Sequence, residues 1–394
     1  MIALVTCYFH HNYGSMLQAY ATQKILQNWG IPCEHICIEG LKKEIDGSKM
    51  KFYLKQINNP QVLSGTILRI VKKRFYQKAK KNTLAKDLGV RKKCFDRFIS
   101  EQFVISMKYG SREELSKACN LYTSVIVGSD QLWLPSNIEA DYYTLNWVPS
   151  DVPKIAFATS FGTSFLPSKH QILAKKFLQR FAHISVREES GQDMIKEYAN
   201  MDVPVVCDPT LLFSAAEWMC IQKKDRIIQE KYILCYFLGN NTKDRKFAKN
   251  LRAKTGYQIV ALLHLDEYIK KDEHYADLTP FDVGPGELLN LIRNAEYIVT
   301  DSFHGSVFSV IYKKTFFTSR RVQKEGILCT NNRLDSLFSQ LGISGRVIEG
   351  NYNVEEYMNR QIDYKAIDVR LKALTEKSKN YLRTALGYES EMVI

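Results

Sequence analysis

Short apolar runs alternate along the chain with stretches in which apolar residues recur at three- and four-residue steps. The runs have the length and composition of buried strands, and the intervening stretches have helical periodicity. The alternation indicates an α/β protein with mainly parallel sheets. Strands are predicted at Ile2–Thr6, Ser124–Val127, Lys154–Thr159, His183–Arg187, Tyr232–Phe237 and Tyr297–Thr300.

Two helix starts follow predicted strands. After the first strand, Ser15 is predicted to be an N-cap, because Gln18 three residues later would complete a capping box. Near the other end, an amphipathic helix over 287–295 precedes the strand Tyr297–Thr300, and a new helix is predicted over Val307–Tyr312.

The pattern restarts midway through the chain, which indicates two domains. A polar and charged stretch over 213–231 precedes a second buried strand that runs into a Gly/Asn turn. The 394 residues exceed what one core usually holds. We predict an N-terminal domain over 1–220 and a C-terminal domain over 221–394 that ends in charged helices. Two facing α/β domains would leave a cleft between the carboxyl ends of their strands.

The charge is unevenly distributed. The net charge is +13, but Arg69–Arg97 alone has twelve Lys/Arg against two Asp. This segment belongs to a predicted basic helical insertion at about 67–100, which would either contact an anionic membrane surface or form a solvated helix face. No nucleic-acid-binding motif accompanies it, so we expect no nucleic acid partner. We expect a cytoplasmic protein, since no apolar run would span a membrane and the start lacks signal-peptide features.

Nine cysteines are scattered without a disulfide framework. Cys33, His35 and Cys37 alternate, so they would share one face of a strand. A metal site would need a further ligand. The ends of the predicted strands do not offer clustered carboxylates either. We therefore expect neither a metal nor a cofactor.

The sequence around His304 is the strongest candidate for chemistry. Residues 301–306 leave a buried strand and enter a helix, whose first turn presents free N–H groups and the positive end of the helix dipole. Histidine exchanges protons readily near neutral pH, so His304 is a candidate acid and base, or alternatively only a turn cap. Ser302, Gly305 and Ser306 would line the anion site.

Two further strand ends carry polar side chains. Asp130 follows the strand Ser124–Val127 and would act as a base, orient a sugar, or cap a helix. Trp133 would stack on a sugar or lie in the core. Arg187 ends another strand, where its guanidinium suits a carboxylate or phosphate, or an ion pair with Glu188, Glu189 or a neighbouring helix.

Six segments, in this order, resemble motifs of the polysaccharide pyruvyl transferase family, and the resemblance runs from residue 2 to about residue 340. They are Asn12–Tyr20, Val127–Trp133, Ser160–Gly162, Ser185–Glu188, Asp208–Leu212 and Thr300–Gly305. The resemblance implies two Rossmann-like domains in a GT-B-like arrangement with a central cleft. In other branches of the family an Arg lies near the histidine, where this chain has Ser302 or Phe303.

The resemblance also implies a function in exopolysaccharide biosynthesis. Such an enzyme moves a pyruvyl group from phosphoenolpyruvate to sugar hydroxyls and forms a cyclic ketal. The acceptor would be a polysaccharide or lipid-linked oligosaccharide, which would bring the enzyme to the inner membrane face. We expect the acceptor to contact Asn12, Tyr13, Ser129, Gln131 and Trp133.

Two other classes of function remain open at this point. A GT-B glycosyltransferase would share the fold and the anion-binding helix starts, but it would bind a nucleotide sugar. A non-catalytic saccharide-binding protein would keep its ligand when His304 is replaced.

Overall fold

The computed structural model describes residues 1–55, 83–263, 269–272, 274–321 and 332–388. Residues 69–82 of the basic segment lie outside the described residues, and so does the membrane contact predicted for them.

Six parallel strands form the sheet of the N-terminal half. They are β1 (Ile2–Val5), β2 (Cys33–Cys37), β3 (Ile105–Lys108), β4 (Ser124–Val127), β5 (Lys154–Thr159) and β6 (His183–Val186). Their spatial order is β3-β2-β1-β4-β5-β6, the order of a doubly wound Rossmann sheet. Val5 of β1 lies opposite Val127 of β4, so both strands end at the same edge. Ligands of such sheets bind where the strand order reverses, which here is between β1 and β4.

Four parallel strands form the second sheet. They are β7 (Tyr232–Tyr236), β8 (Gln258–Leu262), β9 (Tyr297–Thr300) and β10 (Thr315–Thr318), in the order β10-β9-β7-β8. The order reverses between β7 and β9, where Tyr236 is opposite Thr300. Each sheet therefore has a switch point at its carboxyl edge.

Helices pack on both sheets. In the first half they are α1 (Tyr13–Asn28), α2 (Lys42–Lys55), α3 (Thr83–Gln102), α4 (Arg112–Ala118), α5 (Pro135–Ala140), α6 (Ser168–Leu178) and α7 (Glu189–Ala199). In the second half they are α8 (Thr242–Thr255), α9 (Pro285–Asn294), α10 (Phe303–Ile311), α11 (Asn332–Leu341), α12 (Val354–Asn359) and α13 (Tyr364–Ala385). No helix in the described ranges is long and apolar enough to cross a membrane.

All six predicted strands are present, with ends that differ by no more than one residue. Both predicted helix starts need correction. The N-cap of α1 is Asn12, whose side chain accepts from Ser15 N at 3.2 Å, so Ser15 is not the cap. Helix α10 begins at Phe303, which places His304 inside its first turn and not ahead of it.

One apolar core joins the two sheets through α1. Leu4 of β1, Leu17 of α1 and Leu234 of β7 belong to the same buried cluster. A polar link accompanies this core, because Tyr13 of α1 donates its hydroxyl to Val283 O at 2.7 Å. The orientation of the two strand edges is therefore supported by continuous packing.

Helix α3, the described end of the basic insertion, packs between the two halves. Arg91 is buried and donates to the carbonyl oxygens of Leu263 and Pro280, at 2.6 Å each. Arg97 pairs with Glu287 at 3.1 Å. These two arginines therefore bind groups of the C-terminal half.

The C-terminal helix α13 touches both halves. Tyr364 donates its hydroxyl to Lys314 O beside the second sheet. Further along, Ser378 accepts from Cys207 N at 2.9 Å, and Tyr381 donates to Ala156 O at 3.0 Å in the first sheet. The helix thus packs back across the molecule.

Candidate active site between the two sheets

The loops after β4, β6 and β9 meet around a cluster of buried charges. Asp130 follows β4, Arg187 follows β6 and His304 follows β9, as the sequence predicted for residues at strand ends. A fourth member, Asp208, lies in the segment after α7. Ion-pair contacts connect all four side chains.

Arg187 joins the two aspartates. Its Nη1 donates to Asp208 Oδ2 at 2.6 Å and its Nη2 donates to Asp130 Oδ1 at 2.9 Å. The side chain is 1% exposed, and the guanidinium lies 4.8 Å from the centre of the Phe303 ring. Both arms of the fork are therefore occupied by protein carboxylates. The prediction that Arg187 grips the donor is corrected to the ion-pair alternative, with aspartates as the main partners.

Asp208 is the most completely bonded member of the cluster. Its Oδ1 accepts from the backbone N and the hydroxyl of Thr210, at 3.0 and 2.6 Å, and its Oδ2 faces Arg187 and His304. Burial alone would raise the pKa of Asp208, but the neighbouring His304, Arg187 and Thr210 hold it below its ordinary value. Asp208 is therefore a carboxylate anchored in place beside the histidine ring.

The buried Nε2 of His304 faces the Asp208 carboxylate. Nε2 lies 3.5 Å from Asp208 Oδ2, which is long for a hydrogen bond, and it has no hydrogen-bond partner among the described residues. The other side of the ring packs on Gly14, where an added Cβ would lie 2.0 Å from Nδ1. Gly14 is thus the position that makes room for the ring.

Asp130 adopts an unusual backbone conformation. Its φ of 81° lies in the left-handed region, which costs a non-glycine residue energy. Its Oδ2 accepts from Ser15 Oγ at 3.0 Å, and its Oδ1 faces Arg187 and, at 3.5 Å, Arg333. Burial would raise the pKa of Asp130, but Arg187, His304 and Arg333 hold it below its ordinary value. Such a carboxylate is a weak proton acceptor.

Ser129 and Gln18 hold the loop that carries Asp130. Ser129 N donates to Gln18 Oε1 at 2.8 Å, and Gln18 Nε2 donates to Ser15 O at 2.8 Å. The Ser129 hydroxyl donates to Ala158 O at 2.8 Å and is buried. The prediction that Ser129 contacts the acceptor is therefore corrected to a role in holding the loop.

The other residues predicted to contact the acceptor differ in how far they are buried. Trp133 is completely buried and donates Nε1 to Tyr143 O at 3.1 Å, which agrees with the core alternative and not with sugar stacking. Tyr13 is buried against the second half. Asn12 and Gln131 are partly exposed, so an acceptor can still reach their edges.

The predicted anion residues at the start of α10 form its cap. Ser302 Oγ accepts from Gly305 N at 3.3 Å, and Ser306 Oγ donates to Ser302 O at 3.3 Å. A Cβ at Gly305 would lie 2.5 Å from Thr300 Oγ1, so Gly305 permits close packing of the helix on β9. The two serine side chains and the Gly305 backbone act within the protein, while the positive end of the helix dipole still lies beside His304.

Sequence reasoning missed three members of this cluster. Asp208 belongs to one of the six segments that resemble the family. Its Asp-Pro-Thr sequence is typical of a carboxylate that caps a helix. Phe303 supports two guanidinium groups, at 4.8 and 5.6 Å from its ring centre. Arg333 comes from α11, 203 residues from Asp130, and no local pattern points to it.

A sequence model described as polysaccharide pyruvyl transferase matches residues 12–318. The chain belongs to this family. The match includes every cluster residue named so far except Arg333, and the family is one of transferases. No curated protein sequence matches this family member.

Solved structures resemble this pyruvyl transferase family member in fold. An S. aureus MnaA–UDP co-structure has a TM-score of 0.51 and 11% identity, with 99% of this chain and 97% of that chain covered. A UDP-N-acetylglucosamine 2-epimerase has a TM-score of 0.50 and 12% identity, with 99% and 96% covered. The UDP-GlcNAc 2-epimerase of Methanocaldococcus jannaschii has 14% identity and a TM-score of 0.48, with 98% and 99% covered. The family member thus has the expected GT-B-like fold of two α/β domains.

Proposed function

We propose that the protein transfers a pyruvyl group from phosphoenolpyruvate to two hydroxyls of a saccharide and forms a cyclic ketal. The observation that carries this proposal is the setting of His304. Its buried Nε2 faces the Asp208 carboxylate at 3.5 Å, and the other side of the ring packs on Gly14, so the orientation of the ring is fixed. A histidine in this setting can deliver a proton to a bound substrate and take one back.

The proposed reaction begins with protonation of the methylene carbon of phosphoenolpyruvate by His304. The carbon that bears the phosphate gains positive character, and a sugar hydroxyl adds to it as its proton passes to His304. The C–O bond to phosphate then breaks, and the second hydroxyl closes the ring on the same carbon. Its proton leaves with inorganic phosphate, so the sum is phosphoenolpyruvate plus a diol giving a ketal plus phosphate.

Asp208 and Asp130 have different proposed roles in this scheme. Asp208 fixes the orientation of the His304 ring, as the carboxylate partner of a catalytic histidine does. Asp130 is the poorer base, because Arg187 and Ser15 occupy its oxygens and its pKa is held low. Of the two roles predicted for Asp130, we therefore propose the orienting one.

The proposed acceptor is a sugar of a polysaccharide or of a lipid-linked oligosaccharide, in keeping with the family description. A lipid-linked acceptor would bring the protein to an anionic membrane face. The exposed Lys86, Lys92 and Lys93 of α3 carry charge suited to such a surface.

A direct test compares ligands by thermal shift and then assays the product. Phosphoenolpyruvate should raise the melting temperature in a concentration-dependent way, because it binds the folded state only. With saccharide acceptors, phosphate release should accompany a new ketal detected by mass spectrometry. Stabilisation by UDP-GlcNAc without any effect of phosphoenolpyruvate would instead indicate a nucleotide-sugar enzyme. Saccharide binding that persists without turnover would indicate a binding protein.

A further inference from the structure

Arg333 is a buried cation whose bonding is incomplete. It lies in the first turn of α11, with its side chain 5% exposed. Its one ion-pair contact among the described residues joins Nη1 to Asp130 Oδ1 at 3.5 Å, and its Nε has no hydrogen-bond partner there. A buried charge normally needs close, complete pairing, so this guanidinium is under-compensated.

The surroundings of Arg333 add to this imbalance. The oxygen that it faces already accepts from Arg187 at 2.9 Å, and both guanidinium groups lie over the same Phe303 ring. Burial and the charge of Arg187 lower the pKa of Arg333 to about 9. A cation in the first turn of a helix also meets the unfavourable end of the dipole. An anion beside Arg333 would supply the missing negative charge, raise its lowered pKa and interact favourably with the positive end of the helix dipole.

A comparison with Arg91 shows that the difference lies in the Nη groups, since the Nε of Arg91, like that of Arg333, has no hydrogen-bond partner among the described residues. Arg91 is as deeply buried, but its two Nη groups each donate to a carbonyl oxygen at 2.6 Å. Arg187 likewise has a close carboxylate for each Nη. Arg333 has no comparably close partner among the residues that the structure describes, although it contacts the ring of Phe303, the neighbour of His304.

We propose that Arg333 binds an oxyanion of the donor, its carboxylate or its phosphate, and so holds the donor against His304. This inference rests on the proposed function and names a cation other than Arg187, whose two Nη groups already donate to carboxylates. The planar fork of arginine suits two-point binding of either oxyanion. The contact with Asp130 at 3.5 Å is long enough to be exchanged for a closer ligand oxygen.

The test uses the full-length protein and the variants Arg333→Gln and Arg333→Lys. Arg320→Gln is the matched control, because Arg320 is half-exposed and pairs with Asp335 and Glu349 outside the cluster. Calorimetry with phosphoenolpyruvate should show affinity weakened about tenfold to a hundredfold in Arg333→Gln and less in Arg333→Lys. Arg320→Gln should bind like the parent. Inorganic phosphate and pyruvate, titrated separately, show which oxyanion Arg333 holds.

Stability separates this role from a structural one. Removing an under-compensated buried cation should leave the melting temperature of Arg333→Gln unchanged or raise it, whereas loss of a structural ion pair would lower it. Parent-like affinity for phosphoenolpyruvate in both variants overturns the inference and leaves the proposed function standing. A parent protein that binds UDP-GlcNAc and not phosphoenolpyruvate overturns both. If Arg333→Gln does not fold, the affinity of Arg333→Lys decides.

Discussion

The ring of His304 fills the space that a side chain at residue 14 would need. We expect Gly14→Ala to displace the ring from its position beside Asp208, since the new Cβ would lie 2.0 Å from Nδ1. A misplacement of about 1 Å can cost on the order of a hundredfold in rate, so turnover should fall by about that factor. The control is Gly47→Ala in α2, where a Cβ meets nothing within 4 Å. Equal turnover in both variants would mean that the ring position is not critical.

His304→Gln tests proton transfer directly. Glutamine keeps much of the size and hydrogen bonding of histidine, but it cannot shuttle a proton. Turnover of phosphoenolpyruvate should therefore fall by about 10²–10⁴, while donor affinity and melting temperature change little. Near-parent turnover would show that His304 only positions groups. A variant that is inactive because it unfolds would support the capping alternative.

The candidate residues that could be predicted share one property, a place immediately after a buried strand. His304, Asp130 and Arg187 all have it, and the topology of parallel sheets brings such positions together. The role of Arg187 was mispredicted because its partner Asp208 lies in a separate segment, and a local pattern does not show whether a cation is already paired. Arg333 was missed because it comes from a helix that follows no strand directly.

At the scale of elements, α10 depends on its cap. Ser302 accepts from Gly305 N, and losing a serine N-cap typically costs about 1 kcal/mol. Ser302→Ala should therefore lower the free energy of unfolding by roughly that amount in urea titrations, with phosphoenolpyruvate affinity unchanged. Ser302→Asn, which can still cap, should restore most of the stability. A large loss of donor affinity in Ser302→Asn would instead return Ser302 to the anion site.

The strands that sequence reasoning found are mostly apolar, but β8 and β10 were not predicted although each is buried except at its first residue. β4 and β5 are buried along their whole length, and their bounds were predicted correctly. β3 was missed because only Ser106 of its four residues is buried, so it lacks the apolar pattern of a core strand. The start of α1 was misplaced because Gln18, which looked like part of a capping box, bonds to the loop of Ser129 instead.

At the scale of the whole molecule, the two halves act as one unit around the charge cluster. Leu4 and Leu234 lie in one core, and α13 contacts both sheets through Tyr364 and Tyr381. The link between Arg333 and Asp130 crosses the same boundary. The position of the cleft between the two halves therefore depends on packing contacts that lie far from the cleft. A prediction made one strand at a time does not show such contacts.

One buried carboxyl should make the stability of the whole chain depend on pH. Asp244 in the first turn of α8 is buried, and burial together with the charge of Asp301 raises its pKa to about 7. A raised pKa in the folded state means that its stabilising contribution is complete below the unfolded pKa near 3.8 and is lost as pH rises through about 7. Above that pH, the folded chain must hold a buried negative charge beside Asp301.

Asp244→Asn should therefore match the parent near pH 4 and become more stable than it as pH rises, because asparagine resembles the protonated acid and never ionises. The gain above about pH 7 should be on the order of a few kcal/mol, measured by urea unfolding at several pH values. Asp368→Asn is the control, since Asp368 is half-exposed and its partner Lys313 is also at the surface. The difference in the free energy of unfolding between Asp368→Asn and the parent should stay small at every pH measured. Parallel pH profiles for the parent and Asp244→Asn would show that Asp244 ionises in the folded chain without penalty.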